Sequence, residues 1–137
     1  MTVIIKLGGS VITDKANPGV IRSEVISELA KAIASSKAPS VIVHGAGSLG
    51  HPEAKAYGIA DGVTFENARG VYVTHEAVSR LNTEVVAALR HAGIEAVSFH
   101  PFSCALAENR RLVFCGEEQI KALLASGIVP VLQGDVV

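Results

Sequence analysis

Three apolar runs in this chain break off into glycine. Thr2 to Leu7 ends in Gly8-Gly9, Ser40 to His44 ends in Gly45, and Ile128 to Leu132 passes through Gln133 into Gly134-Asp135. Short β-branched runs bounded by such turn signals read as buried strands. Between the first two, Ser23 can cap a helix in which Val25, Ile26, Leu29 and Ile33 recur at helical spacing, ending before Pro39. That is a βαβ unit. A long helix is predicted from about Glu66 to His91, with Val71, His75, Val78, Asn82, Val85, Val86 and Leu89 on one side and Gly93 as its stop. Ala96 to Phe99 reads as a strand, Pro101 to Gly116 as a hairpin turning at Glu108-Asn109, and Glu117 to Ala125 as a short helix. Strands alternating with helices predict an α/β fold, a three-layer αβα sandwich whose central sheet is mainly parallel. A length of 137 residues suits one domain.

Parallel strands carry their following turns to one edge of the sheet, where ligands of open α/β folds gather. Glycine lets backbone amides approach an anion closely, so turns of this kind point to phosphate chemistry. Two familiar phosphate motifs are excluded. Gly45 to Gly50 spells G-x-G-x-x-G, but it follows the second strand, and no acidic residue closes a next strand about twenty residues on, as a dinucleotide fold requires. No G-x-x-x-x-G-K-[ST] string occurs either.

A net charge of -1, from 12 basic and 13 acidic residues, gives no footprint for nucleic acid or an anionic membrane. The apolar run after Met1 is too short for a signal segment or a membrane span, which predicts a cytoplasmic protein. Hydrophobic residues reach 49% against 18% charged, with mean hydropathy +0.40, so some apolar surface should be uncovered. Cys104 and Cys115 lack metal-ligand spacing and read as reduced, packed thiols. His44, His75, His91 and His100 share no spacing that builds a metal site and are expected in structural or solvent roles.

Lys6-Leu7-Gly8-Gly9-Ser10-Val11-Ile12-Thr13-Asp14-Lys15, followed by Val43-His44-Gly45-Ala46-Gly47-Ser48-Leu49-Gly50-His51-Pro52, resembles the two opening motifs of the isopentenyl phosphate kinases, within the amino acid kinase family. The K-x-G-G-S turn marks the wider superfamily; the histidine closing the glycine loop narrows it to these enzymes and the related fosfomycin kinases. Thr74-His75 and Leu81-Asn82 are similar to the former. One departure is Ala46, at a loop position where glycine is common.

The resemblance implies an amino acid kinase-like fold, ATP and Mg2+ as cofactors, a small phosphorylated acceptor and a homodimer. It implies that Lys6 neutralises the transferring phosphoryl group and that Lys15 assists. Gly8, Gly9, Ser10 and Gly47 would hold ATP phosphates, and Gly45, Ala46, Gly50, His51, Gly134 and Asp135 would hold the acceptor, with His51 donating to its phosphate. The long-helix valines could leave room for a five-carbon tail. Such kinases also have a C-terminal half that carries the adenine and ribose contacts, so residues 1–137 are expected to form the acceptor-binding portion and to turn over no ATP alone. Three functions stay open: phosphorylation of isopentenyl phosphate, phosphorylation of another phosphate or phosphonate such as fosfomycin, and a non-catalytic phosphate-binding module.

Overall fold

The computed structural model describes residues 1–137. In chain order the elements are β1 (Val3–Leu7), α1 (Gly9–Ile12), α2 (Ser23–Ser36), β2 (Ser40–His44), α3 (Gly47–Ala56), α4 (Arg69–His91), β3 (Ala96–Ser98), α5 (Pro101–Cys104), β4 (Leu106–Glu108), β5 (Arg111–Phe114), α6 (Glu117–Ala125) and β6 (Val129–Gln133), with a single 3-10 turn at Ile59–Asp61. The four strands β1-β2-β6-β3, in that spatial order, form one wholly parallel sheet. β4 and β5 make a separate antiparallel hairpin.

Alternation along the strands assigns the two faces. Leu7, Ile42, Ala96 and Val131 point to one side, where they pack with Ile26 and Ala30 of α2 and with Leu81, Val85 and Leu89 of α4 into the main core. The long helix fits this site because its buried residues recur at helical spacing, from Gly70 through Thr74, Val78, Leu81, Asn82 and Val85 to Leu89. Within the valine stripe, Val78 and Val85 are fully buried core and the half-buried Val86 packs against it.

Right-handed crossovers place α2 and α4 on this face and α6, which returns the chain from β3 to β6, on the other. That second layer is partial. On β1, Ile4 and Lys6 point away from the core and are exposed, Ile4 at 72%. Part of the uncovered apolar surface expected from composition lies there and on the hairpin, where Leu112, Val113 and Phe114 are all exposed, and part at Phe65 and Tyr72.

Strand ends shift by a residue from the sequence-based reading, and three other boundaries differ for a local reason. The long helix starts at Arg69, because Asn67 anchors the preceding turn by donating from Nδ2 to the carbonyls of Tyr57 and Gly62, while its Oδ1 accepts from the Thr64 amide. The hairpin turns one residue later, at Asn109-Arg110, whose φ values of 50° and 62° are those a two-residue type I′ loop needs. Pro101, with its φ preset for a first helical position, makes Pro101–Cys104 a helical turn rather than strand.

Candidate functional site

The register of the sheet brings the three glycine turns together. Leu7 pairs with His44 and His44 with Gln133, so the strands end level. The Gly45 amide then donates to the Leu7 carbonyl at 3.2 Å and the Gly134 amide to the His44 carbonyl at 2.8 Å, extending the ladder into the turns. The first two turns touch through their backbones. A Cβ added to Gly9 would lie 2.6 Å from the Gly47 nitrogen and 2.7 Å from its Cα, and one added to Gly45 would lie 3.1 Å from the Gly9 nitrogen. No side chain fits between them. Gly47 also has φ +57°, which glycine adopts without cost.

Thr13, fully buried, ties these turns to each other. Its hydroxyl donates to the Gly9 carbonyl at 2.6 Å and accepts from the Ser48 amide at 3.0 Å. Sequence reasoning gave Thr13 no role, since one threonine in a polar loop carries no local signal. Gly50 serves packing as well as the site, because a Cβ there would collide with Val78 on α4.

Two clefts open on this edge and share His51. One, of about 690 Å³, is lined by Gly9, Ser10, Thr13, Lys15, Gly47, Ser48, His51 and Lys55, with no carboxylate. The other, of about 630 Å³, holds Lys6, Gly45, Ala46, Gly50, His51, Thr74, Gly134 and Asp135, beside an apolar part made by Ala54, Ile59, Ala60, Val63, Val136 and Val137. Every residue expected to hold the acceptor lines this second cleft. Gly9, Ser10 and Gly47 line the first, while Gly8 lines neither and Lys6 lies on the acceptor side. Because α3 already begins at Gly47, His51 stands in its second turn. Lys55, one turn further, was not foreseen.

The charge of the site is free for a ligand. Neither Lys6 nor Lys15 belongs to any ion pair. Ser48 Oγ on the wall of the first cleft and Thr74 Oγ1 on the wall of the second are buried without a hydrogen-bond partner. Two lysines, an imidazole and the glycine turns line the first cleft, a set that suits an anion. Mg2+ finds no carboxylate there and would come held by the phosphates themselves.

Behind the second turn, His44 is locked in one tautomer. Its Nδ1 donates to the Gly45 carbonyl at 3.0 Å and its Nε2 accepts from Asn82 Nδ2 at 3.1 Å, while the same Asn82 nitrogen donates to the Val131 carbonyl at 3.2 Å. Protonation would set N–H against N–H, and rotating the amide would set oxygen against oxygen. Burial pushes the His44 imidazole below its ordinary value of 6.5, with the Gly45 carbonyl acting in the opposite sense. The sign of the linkage follows. The unfolded chain takes up this proton first, so the His44 contribution is complete above about pH 6.5 and lost as pH falls below it. Thermal melts should therefore shift down from about pH 7.5 to about pH 5.5, and His44→Gln should show a smaller shift. An equal shift in the variant would exclude His44 as the cause.

Parallel strands ending level, with backbone turns in contact and two clefts that meet at one histidine, one cationic and the other part apolar, define an α/β domain whose ligand edge suits an anion. The family model of the amino acid kinase family matches residues 1–137, and the chain belongs to that family. Curated relatives include an isopentenyl phosphate kinase of Methanothermobacter thermautotrophicus, 39% identical over 98% of this chain and 53% of its own length. Another, of Arabidopsis thaliana, is 31% identical over 98% of this chain and 53% of its own length. A solved isopentenyl phosphate kinase superposes with TM-score 0.91 at 36% identity, covering 98% of this chain and 58% of that one. The product complex of the Thermoplasma acidophilum enzyme gives 0.84 at 28% identity, covering 98% and 56%. The chain thus spans about half the length of the relatives it matches. An aspartate kinase from Synechocystis, at 18% identity and TM-score 0.66, shares the fold.

Proposed function

We propose that this chain is the acceptor-binding portion of an ATP-dependent kinase that phosphorylates isopentenyl phosphate to the diphosphate. The observation that carries the reading is the meeting of two clefts at His51, one polar and cationic, the other running from Lys6 and the Gly45 turn into a small apolar recess. A phosphate monoester loses its second proton near pH ~6 and brings its own nucleophilic oxygen, so no general base is needed. The task is electrostatic: two anions must be held together while charge moves between them. In this reading Gly9, Ser10 and Gly47 bind ATP phosphates with Lys15 and Lys55 alongside. Lys6 faces the transferring group, and His51 donates to the acceptor phosphate. Ile59, Val63 and Val136 receive the hydrocarbon tail. ATP is bound as its Mg2+ complex, and the protein acts as a cytoplasmic homodimer.

The test is a coupled kinase assay on the longest natural polypeptide containing these residues, with isopentenyl phosphate and fosfomycin as competing acceptors. Preferential turnover of isopentenyl phosphate is expected. Preference for fosfomycin would move the assignment to a phosphonate kinase, and ATP binding without transfer to either would leave a phosphate-binding module. The apolar recess favours the first, because fosfomycin has no comparable tail. His51→Ala should lower kcat/KM for the phosphate acceptor by about 100-fold or more, as loss of a positioned donor does, while leaving the melting temperature unchanged because His51 is exposed. Unchanged turnover would remove His51 from the site.

A further inference from the structure

We propose that His75, His100 and Asp135, joined by Gln133, form a binding site for a borderline-soft divalent cation of the Zn2+ class. The four residues come from α4, from the loop after β3 and from the end of β6, and they meet because β3 and β6 are neighbours in the sheet. The donor atoms of His75, His100 and Asp135 all lie within 4.8 Å of one another.

The distances around Asp135 match the edges of a coordination shell. His75 Nδ1 is 2.9 and 3.0 Å from the two Asp135 oxygens. Gln133 Nε2 is 2.6 Å from His100 Nδ1 and 2.9 Å from Asp135 Oδ2. With metal–ligand bonds of about 2.0–2.1 Å, neighbouring ligands stand about 2.9–3.4 Å apart, so the contacts to Asp135 already fall in range, while that of Gln133 with His100 must open. The Gln133 amide bridges two acceptors where a cation would stand. Turning it over presents Oε1, which is otherwise buried without a partner, as a fourth donor.

Electrostatics argue the same way. The Asp135 side chain has no exposed area, and its only ionisable partner is the His75 ring; no lysine or arginine pairs with it. A buried carboxylate of this kind is held by a cation or by strong donors. Two imidazoles and one carboxylate suit Zn2+ rather than Mg2+ or Ca2+, which take oxygen ligands. Ser79 Oγ, 3.4 Å from His75 Nε2, can hold that ring in orientation. Because Asp135 lines the acceptor cleft, an ion here would add positive charge to its wall.

The experiment uses the purified chain without nucleotide or acceptor, so its outcome is independent of the kinase reading. Co2+ titration should give visible d–d absorption that Zn2+ abolishes at one ion per chain, and calorimetry should give a Zn2+ dissociation constant below about 10 µM. His75→Gln and His100→Gln should each weaken binding by about 100-fold or more with circular dichroism unchanged. His91→Gln, on the exposed end of α4, should not. A dissociation constant weaker than that limit, binding that survives both glutamine variants, or an equal loss in His91→Gln would overturn the site. Should His75→Gln lower the helical signal, the His100→Gln result decides.

Discussion

Gly9→Ala should destroy phosphate binding and lower the melting temperature by roughly 10 °C, a loss of roughly 2–4 kcal/mol. The new methyl carbon would sit 2.6 Å from the Gly47 nitrogen, inside backbone that cannot rotate away. Relief requires the two turns to part. Separation breaks the Thr13 bridge, whose hydroxyl holds the Gly9 carbonyl on one side and the Ser48 amide on the other. It also disperses the amides that a phosphate would use, so binding and stability fail together. Gly8→Ala is the control. A Cβ there meets only Val11 Cγ2 at an ordinary 3.5 Å, and φ is -64°, so any L residue is accommodated. Differential scanning calorimetry and tripolyphosphate binding on the two variants check the contrast. If Gly9→Ala melts with the unsubstituted chain and binds as tightly, the contact between the turns has no bearing on function.

That the turns share one edge was legible in advance because residue type records it. Glycine at the end of a buried strand has few uses, and three such ends in parallel strands must face one edge. Alternation of strands with helices was legible for the same reason: it needs only local periodicity. The parts that were not legible depend on pairing across the chain. Thr13 looks like any loop threonine until the Ser48 amide is brought to it. His75 and Asp135 are far apart in sequence, and the spacing that finds metal sites within a helix or loop says nothing of groups that meet only through sheet order. The valine stripe was read correctly as a helical face, but its pattern could not distinguish core from pocket wall. Burial decides that, and the recess is lined instead by Ile59, Val63 and Val136, from segments with no periodicity.

Lys6→Ala should lower kcat of the longest natural polypeptide containing this chain by about 100- to 1,000-fold, with acceptor KM changing less. Lys6 stands one residue from the end of β1, and its backbone is fixed by pairing against Val43, so its ammonium starts from a rigid base. It points off the open face of the sheet into the cleft that holds Gly45, His51 and Gly134. No carboxylate neutralises it. A fixed positive charge beside the transferring phosphoryl group acts most when negative charge is shared between donor and acceptor oxygens, which is why its loss falls on kcat rather than on binding. Lys15 supplies the contrast: it lies exposed in the loop after α1, with more freedom to lose on binding, and Lys15→Ala should cost only about tenfold. Steady-state kinetics on both variants separate these roles. If Lys6→Ala raises KM alone, Lys6 binds the acceptor without assisting transfer, and the charge that stabilises the transition state must come from another group.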